Sequence, residues 1–279
     1  MNKKVLTVQD ISCFGQCSTT VALPILCACG VETAIMPSAI LSTHTGGFNG
    51  FTFRDLTEDL PKIMEHWVKE GISFDAIYTG YLGSKRQIEI VIDLFKNILK
   101  SDGIRIVDPA MADNGKLYTG FDTSFVNEMR NLIGFSDIIL PNMTEAGLLT
   151  DSEIILENQT DEYIKDIIYK LKALGAKNIV LKGVKNVEDK LGIAIYEANT
   201  DSIDIFYTDR IKKDAHGTGD CYAAAFTGCL MQGKSLGEAV KVAAEFVSEA
   251  ILKTVDDESH WYGVKFEKAL PVLIRELNK

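Results

Sequence analysis

The sequence contains no long apolar run. No stretch approaches the roughly 18 apolar residues that a helix needs to span a bilayer, although 46% of the 279 residues are hydrophobic. The basic N-terminus reaches the polar residues Gln9 and Asp10 too soon to contain the apolar region of a signal peptide. We therefore expect a cytoplasmic protein that does not associate with a membrane.

Positive charge is scarce relative to negative charge. The chain has 29 Lys and Arg residues against 39 Asp and Glu residues, which gives a formal net charge of −10. Nucleic-acid binding depends on clustered Lys and Arg that neutralise phosphates, so the composition argues against a nucleic-acid partner. It leaves open a small phosphate site built from backbone N–H groups, one or two cations and Mg²⁺.

Several motifs of known sites are missing. The chain has no GxxxxGK[ST] motif, which excludes a P-loop enzyme, and it lacks the HRD and DFG motifs of protein kinases. Of its six cysteines, Cys27 and Cys29 are separated by one residue and Cys13 and Cys17 by three. No second Cys/His pair accompanies either spacing, so we expect reduced thiols in small apolar positions rather than a zinc site.

An apolar strand followed by an amphipathic helix recurs along the chain, and no linker divides it. The predicted strands cover residues 4–8, 33–37, 75–79, 104–108, 137–140 and 178–182. One predicted helical face consists of Leu56, Leu60, Ile63, Met64, Trp67 and Val68. This alternation indicates βαβ units and a mainly parallel sheet.

The C-terminal third has a different pattern. Residues 192–197 and 203–208 predict a short antiparallel pair, and two long helices are predicted over about residues 220–232 and 235–254. We expect one α/β domain over residues 1–279, in which helices flank a central, mostly parallel sheet.

The segment HGTGD at residues 216–220 carries the strongest signal for chemistry. Gly217 and Gly219 bracket Thr218, and glycines let backbone N–H groups converge on an anion at the N-terminus of the helix that follows. Asp220 lies beside that anion, where a carboxylate is suited to accept a proton from an attacking hydroxyl group. The alternative is a plain glycine turn in which Asp220 only caps the helix.

Polar residues also close three predicted strands. Asp108 and Asn142 each end a strand, and Glu145 lies in the first turn of the next helix. The oxygens of Asp108 and Glu145 suit Mg²⁺ held through water, although Asn142 and Glu145 equally fit a capping box. Lys182 either reaches a nucleotide phosphate or is a solvated strand end. Ligands bind beyond the carboxyl ends of such strands.

A second group of polar residues lies in the N-terminal part of the chain. Asp10 and Ser12 follow the first predicted strand, Thr45 lies in a hydroxyl-rich loop, and Tyr81 follows the third strand. Together they offer hydroxyl groups, a carboxylate and an aromatic face, which suit a flat polar ring. His44, taken alone, is more often a structural residue than a ligand.

Taken together, these segments resemble the ribokinase-like superfamily and, within it, the pyridoxal and pyridoxamine kinases and the related hydroxymethylpyrimidine kinases. The resemblance runs from Val8 to about Thr254. It rests on Ser42-x-His44-Thr45, Gly80-Tyr81-Leu82-Gly83, Asp108-Pro109, Pro141-Asn142-x-x-Glu145 and Gly217-Thr218-Gly219-Asp220, which stand in the family's order.

The resemblance implies the three-layer ribokinase-like fold and ATP-dependent phosphorylation of the 5′-hydroxymethyl group of pyridoxal, pyridoxine or pyridoxamine. It also implies a homodimer, Mg²⁺ and, as in many members, a monovalent cation such as K⁺. The resemblance implies that Asp220 is the catalytic base and that Gly217, Thr218 and Gly219 form the anion hole. It implies that Asp108 and Glu145, supported by Asn142, contact the nucleotide phosphate and Mg²⁺, and that Lys182 contacts ATP. It also implies that Thr45 and Tyr81 contact the ring of the acceptor.

Two positions depart from the pattern of many pyridoxal kinases, which have Ser and Gln where this chain has Asp10 and Gly46. Hydroxymethylpyrimidine kinases do carry an Asp in the N-terminal turn, but their glycine-rich continuation is absent here. We expect Asp10 to contact a ring nitrogen or a cationic amine, which favours pyridoxamine or pyridoxine over the aldehyde. A hydroxymethylpyrimidine (phosphate) kinase is the alternative enzyme, and a non-catalytic B6-binding protein is the alternative of a different class.

Overall fold

A nine-stranded sheet forms the centre of the computed structural model, which describes residues 3–213 and 215–279. Within these residues the strands are β1 (Lys4–Ser12), β2 (Glu32–Leu41), β3 (Phe53–Asp55), β4 (Phe74–Thr79), β5 (Leu99–Val107), β6 (Ala112–Asp113), β7 (Lys116–Leu117), β8 (Ile138–Ile139), β9 (Asn178–Val184), β10 (Lys190–Glu197) and β11 (Ser202–Asp209). Strands β6 and β7 form a separate hairpin.

The order across the large sheet is β11-β10-β9-β8-β5-β4-β1-β2-β3. The six strands from β9 to β2 run parallel to one another, whereas β10, β11 and β3 pair in an antiparallel manner. The carboxyl ends of the parallel strands therefore share one edge, which is where such sheets bind ligands.

Helices cover both faces of the sheet. They are α1 (Thr19–Ala28), α2 (Leu60–Lys69), α3 (Lys85–Asn97), α4 (Thr123–Ile133), α5 (Met143–Leu149), α6 (Asp161–Ala173), α7 (Thr218–Met231), α8 (Leu236–Leu252) and α9 (Leu270–Leu277). One apolar core lies between the sheet and α2 to α6, and a second lies between the sheet and α1, α7, α8 and α9. In the part of the chain that the structure describes, no helix is long and apolar enough to cross a membrane.

The predicted architecture is confirmed, including the six parallel strands and the antiparallel pair, now β10 and β11. The predicted end of the first strand is wrong, because β1 continues to Ser12 rather than ending at residue 8. The register between β1 and β2 shifts between Gln9 and Ile11. This bulge lets β1 stay paired while it redirects its side chains, so Asp10 and Ser12 lie within the strand.

The helical face that the sequence predicts over residues 56–68 is partly wrong. Helix α2 begins at Leu60, with a proline in its first turn, so Leu56 lies outside it. Val68 is 49% exposed. Proline is favoured in the first turn of a helix because its missing N–H would have no partner there, and this places the start of α2 later than the apolar spacing alone suggests.

Candidate active site

The glycine segment starts α7, as its sequence predicts. Gly217 is the residue that precedes the helix, with a φ of 74°. A Cβ atom at this position would lie 1.7 Å from the carbonyl oxygen of Gln16, so both the backbone angle and the close approach require glycine. The first N–H groups of a helix have no partner within it, and those of α7 are therefore available to an anion.

Asp220 lies in the first turn of α7. Its Oδ2 accepts a hydrogen bond of 2.8 Å from the backbone N–H of Ser18. Burial, followed by the charges of Asp108 and Asp10, raises the pKa of Asp220 to about 7, although Ser18 and Lys182 act in the opposite direction. A carboxyl group with a pKa near neutrality is well suited to exchange a proton with a substrate.

Asp108 and Lys182 form an ion pair at the carboxyl ends of β5 and β9. The Lys182 Nζ lies 2.9 Å from Asp108 Oδ2, and both side chains are largely buried. Burial would lower the pKa of Lys182, but the charges of Asp108 and Glu145 raise it above its ordinary value. Lys182 therefore carries a positive charge in a buried position, which would suit contact with a phosphate group.

Glu145 and Asn142 form a capping box, which is one of the two arrangements that their sequence allows. Asn142 Oδ1 accepts from the Glu145 N–H at 2.9 Å, and Glu145 Oε2 accepts from the Asn142 N–H at 2.8 Å. Glu145 Oε1 also accepts from the Met111 N–H at 3.2 Å. Burial and the charge of Asp108 raise the pKa of Glu145 to about 8. The capping box is therefore present. Its hydrogen bonds hold the Glu145 side chain close enough to Asp108 for their charges to interact.

The donor set at this edge fits a divalent cation held mainly by water and phosphate. Among residues 3–213 and 215–279, no group of three or more His, Cys, Asp or Glu side chains is arranged to hold a metal alone. Yet burial raises the pKa values of Asp108, Glu145 and Asp220 above their ordinary values, and the charge of Asp108 raises those of Glu145 and Asp220 further, whereas Lys182 opposes the rise in each. Mg²⁺ characteristically binds through one or two carboxylates, several waters and substrate phosphates.

The bulge of β1 places Asp10 at the other end of the site. Asp10 is buried, and its Oδ2 accepts a hydrogen bond of 2.9 Å from the Ser12 hydroxyl. Burial raises the pKa of Asp10, although hydrogen bonds from Ser18 and Ser12 oppose that effect. The structure thus places this carboxyl group with the other predicted residues, on a strand rather than on a loop.

Tyr81 and Thr45 come from loops. Tyr81 stacks on Phe121, with ring centroids 5.5 Å apart, and Thr45 is exposed. His44, beside Thr45, is held by backbone at both ring nitrogens: Nε2–H donates to the Tyr262 carbonyl at 2.7 Å, and Nδ1 accepts from the Gly46 N–H at 3.1 Å. Burial lowers the pKa of His44, in line with its structural interpretation.

Gly46, one of the two departures from the family pattern, has a packing reason. A Cβ atom at position 46 would lie 2.7 Å from the ring of His216. His216 immediately precedes Gly217, and its ring centroid lies 5.2 Å from that of His44. The loop that carries Thr45 therefore packs directly against the glycine segment that precedes α7.

One cavity of about 680 Å³ joins these groups. Its lining includes all twelve residues that the sequence predicted, namely Asp10, Ser12, Thr45, Tyr81, Asp108, Asn142, Glu145, Lys182, Gly217, Thr218, Gly219 and Asp220. It also includes Ser18 and Cys17, which sequence reasoning missed. No sequence signal distinguishes Ser18 from an ordinary serine before a helix.

The chain is similar to known kinases over most of its length. Residues 26–264 match the phosphomethylpyrimidine kinase family. A Bacteroides thetaiotaomicron protein, whose description places it among the phosphomethylpyrimidine kinases and whose structure was determined with pyridoxal, is 38% identical. That match covers 98% of this chain and 96% of that one, with a TM-score of 0.92.

Two further relatives differ in their acceptor. Pyridoxal kinase from Lactobacillus plantarum is 30% identical, with a TM-score of 0.89 and coverage of 98% of this chain and 97% of that one. The hydroxymethylpyrimidine/phosphomethylpyrimidine kinase of Bacillus subtilis is also 30% identical, over 219 residues that make up 78% of each chain.

Proposed function

The chain belongs to the phosphomethylpyrimidine kinase family and is a phosphotransferase with an alcohol group as acceptor, and we propose that it transfers the γ-phosphoryl group of ATP to the 5′-hydroxymethyl group of a B6 vitamer. The observation that carries this proposal is the position of Asp220, at the N-terminus of α7 and within the same cavity as Asp10 and the Asp108–Lys182 pair.

The mechanism follows from the order of these groups. The hydroxymethyl oxygen attacks the γ-phosphorus, its proton passes to Asp220, and ADP leaves. The N–H groups at Gly217 to Asp220 stabilise the charge on the transferring phosphoryl group, and Lys182 contacts the nucleotide phosphates. Asp108 and Glu145 would hold Mg²⁺ through water, which supplies further neutralisation of phosphate charge when it is bound.

The acceptor end supports a B6 vitamer over other alcohols. The Bacteroides thetaiotaomicron relative, whose structure was determined with pyridoxal, and the pyridoxal kinase of Lactobacillus plantarum each align with nearly the whole chain. Asp10 with Ser12 offers a hydrogen-bonding edge, and Tyr81 offers an aromatic face. A flat pyridine ring with polar substituents matches this combination.

The Bacillus subtilis relative favours a second candidate, hydroxymethylpyrimidine or its phosphate. A pyrimidine acceptor uses the same phosphate end, so only the acceptor separates the two functions. Purified protein with MgATP should be assayed for ATP consumption against pyridoxal, pyridoxine, pyridoxamine and hydroxymethylpyrimidine, with Asp220→Ala as control. We expect the largest kcat/KM with a B6 vitamer, and a larger value with hydroxymethylpyrimidine would contradict the proposal.

The same assay tests the alternative of a non-catalytic B6-binding protein. Such a protein would bind a vitamer without consuming ATP, and Asp220→Ala would not change its behaviour. We also propose a homodimer, which the molar mass from light scattering measures, and dependence on a monovalent cation, which assays in K⁺, Na⁺ and a large organic cation measure.

A further inference from the structure

The loop that carries Thr45 has no helix or strand of its own. It spans residues 42–52 between β2 and β3, and we call it the acceptor loop. It contains Gly46, Gly47 and Gly50, and the last two have positive φ angles of 85° and 68°. Glycine adds conformational freedom to a chain, so contacts with other segments must hold this loop in the conformation in which Thr45 lines the cavity.

A row of aromatic rings supports the acceptor loop. Neighbouring ring centroids in this row lie 4.6, 5.0 and 5.2 Å apart, and aromatic rings pack favourably at such separations. In order from the surface to the glycine segment, the row consists of Trp261, Phe48, His44 and His216. His44 and His216 belong to the lining of the cavity, whereas Trp261, which is 47% exposed, lies outside it.

Trp261 contacts the backbone of the acceptor loop directly. A Cβ atom at position 47 would lie 2.8 Å from the Trp261 ring, so the ring and the Gly47 backbone meet without space for a side chain. The next residue, Tyr262, accepts a hydrogen bond of 2.7 Å from His44 Nε2–H through its carbonyl oxygen. Two consecutive residues of the segment that follows α8 thus hold the loop, one through its ring and the other through its backbone.

The segment that bears Trp261 is itself anchored. The Lys265 ammonium forms an ion pair with Asp257, and the Lys265 N–H donates to the Thr254 hydroxyl at 2.9 Å. The Lys213 ammonium donates to the Thr254 carbonyl at 2.7 Å. A single exposed aromatic side chain is common on protein surfaces. Trp261 differs from that case because it lies between an anchored segment and a glycine-rich loop, where its ring restricts the loop.

We propose that Trp261 is a positioning residue for the acceptor, because it holds the acceptor loop in the conformation that presents Thr45 to the cavity. It acts through the loop and does not itself contact the substrate. This inference rests on the proposed function, because it requires an acceptor that Thr45 contacts. It adds a determinant of acceptor affinity that lies at the surface, beyond the last of the sequence motifs.

Loss of the Trp261 ring should weaken acceptor binding selectively. For Trp261→Ala we expect the KM for the best acceptor in the ATP-consumption assay to rise about three- to tenfold, the usual contribution of an aromatic contact. The kcat and the KM for ATP should change little. Trp261→Phe should restore most of the loss, because it keeps a ring beside Phe48. The control Tyr169→Ala removes an aromatic side chain of similar exposure, 49%, from α6, and should leave all three constants unchanged.

A pair of glycine substitutions tests the same contact without removing the ring. Gly47→Ala places a methyl group against Trp261, whereas the new methyl group in Gly50→Ala meets nothing within 4 Å. Both positions have positive φ, so both variants carry similar backbone strain. We expect Gly47→Ala to raise the acceptor KM more than Gly50→Ala does. The difference should shrink in a Trp261→Ala background, because the ring that the methyl group meets is then absent.

The kinetic constants separate this inference from the proposed function. An unchanged acceptor KM in Trp261→Ala would overturn the inference, and so would an equal rise in the KM for ATP, which indicates a general disturbance of the cavity. Equal effects of Gly47→Ala and Gly50→Ala would overturn it as well. In these cases the wild-type protein still phosphorylates its acceptor, so the proposed function is retained. A wild-type protein that phosphorylates none of the acceptors contradicts the proposed function, and with it this inference.

Discussion

The phosphate end and the acceptor end of the cavity are built in different ways. At the phosphate end, Asp108 follows β5, Glu145 lies in the first turn of α5 and Lys182 lies near the end of β9, and each is held by a hydrogen bond or an ion pair. At the acceptor end, Thr45 and Tyr81 come from loops that pack through aromatic rings. We therefore expect the sheet to fix the phosphate end, and Asp10 on β1, together with these loops, to choose the acceptor.

The relatives include enzymes named for different acceptors. A pyridoxal kinase and a hydroxymethylpyrimidine/phosphomethylpyrimidine kinase are each 30% identical to this chain. Proteins that act on different acceptors thus keep one framework. Changes at the phosphate end should lower turnover of every acceptor, and changes at the acceptor end should alter preference among acceptors.

The largest effect is expected at Asp220. Asp220→Asn or Asp220→Ala removes the proton acceptor while the anion site remains, so we expect kcat to fall about 10²–10⁴-fold with a much smaller change in the KM for ATP. Steady-state kinetics with each acceptor provides the measurement, and the exposed Asp256→Asn provides a control for the same chemical change. A near-normal kcat would exclude Asp220 as the base.

Gly217 offers the next test of the phosphate end. In Gly217→Ala the new methyl group meets the Gln16 carbonyl, so the anion loop must shift, and we expect kcat to fall at least about tenfold for all acceptors. Gly233→Ala is a matched control, because Gly233 has a similar φ of 85° with nothing within 4 Å of the added Cβ. Equal losses in the two variants would attribute the effect to backbone strain alone.

Asp10 tests the acceptor end. Asp10→Ser removes the carboxylate that we expect to contact a ring nitrogen or a cationic amine. We expect the ratio of kcat/KM for pyridoxamine to that for pyridoxal to fall about tenfold, with the KM for ATP unchanged. Competition assays with the three vitamers measure this ratio, and an unchanged order of preference would refute the role of Asp10.

The smallest effect concerns stability and pH. Burial raises the pKa of Asp220 to about 7 and that of Glu145 to about 8. The folded protein therefore binds more protons than the unfolded chain between about pH 4 and 8, so its stability falls as pH rises through that window. We expect the Tm without ligands to be a few degrees lower at pH 8 than at pH 6.

Magnesium provides the control for the pH effect. If Mg²⁺ binds the ionised carboxylates, as we propose, it should raise the Tm more at pH 8 than at pH 6. Differential scanning calorimetry measures both shifts. A Tm that does not depend on pH across this range would contradict the raised pKa values of Asp220 and Glu145.

The sequence predicted most of the phosphate end because that end follows local rules. Strand periodicity, the polar residue after each strand and the glycine turn before α7 are each visible in a few neighbouring residues. Topology then brings Asp108 and Lys182 together. The homodimer, the cytoplasmic location, the absence of a nucleic-acid partner and the monovalent cation stay predictions.

The acceptor end was harder to predict because its geometry depends on contacts between distant segments. The hydrogen bond from Ser18 to Asp220 joins residues 202 positions apart, and that between His44 and Tyr262 joins residues 218 positions apart. The bulge that carries Asp10 has no signature in the apolar pattern, which is why β1 was predicted to end too early. Loop contacts of this kind are set by backbone angles that a sequence does not display.

The contact between Gly46 and His216 has a thermodynamic consequence. The two loops meet without space for a side chain at position 46, so a shift of either loop on ligand binding changes the environment of the other. The factor by which ATP changes the affinity for the acceptor must then equal the factor by which the acceptor changes the affinity for ATP. An ordered or a random binding sequence would differ only in rates, because the coupling free energy is the same by either route.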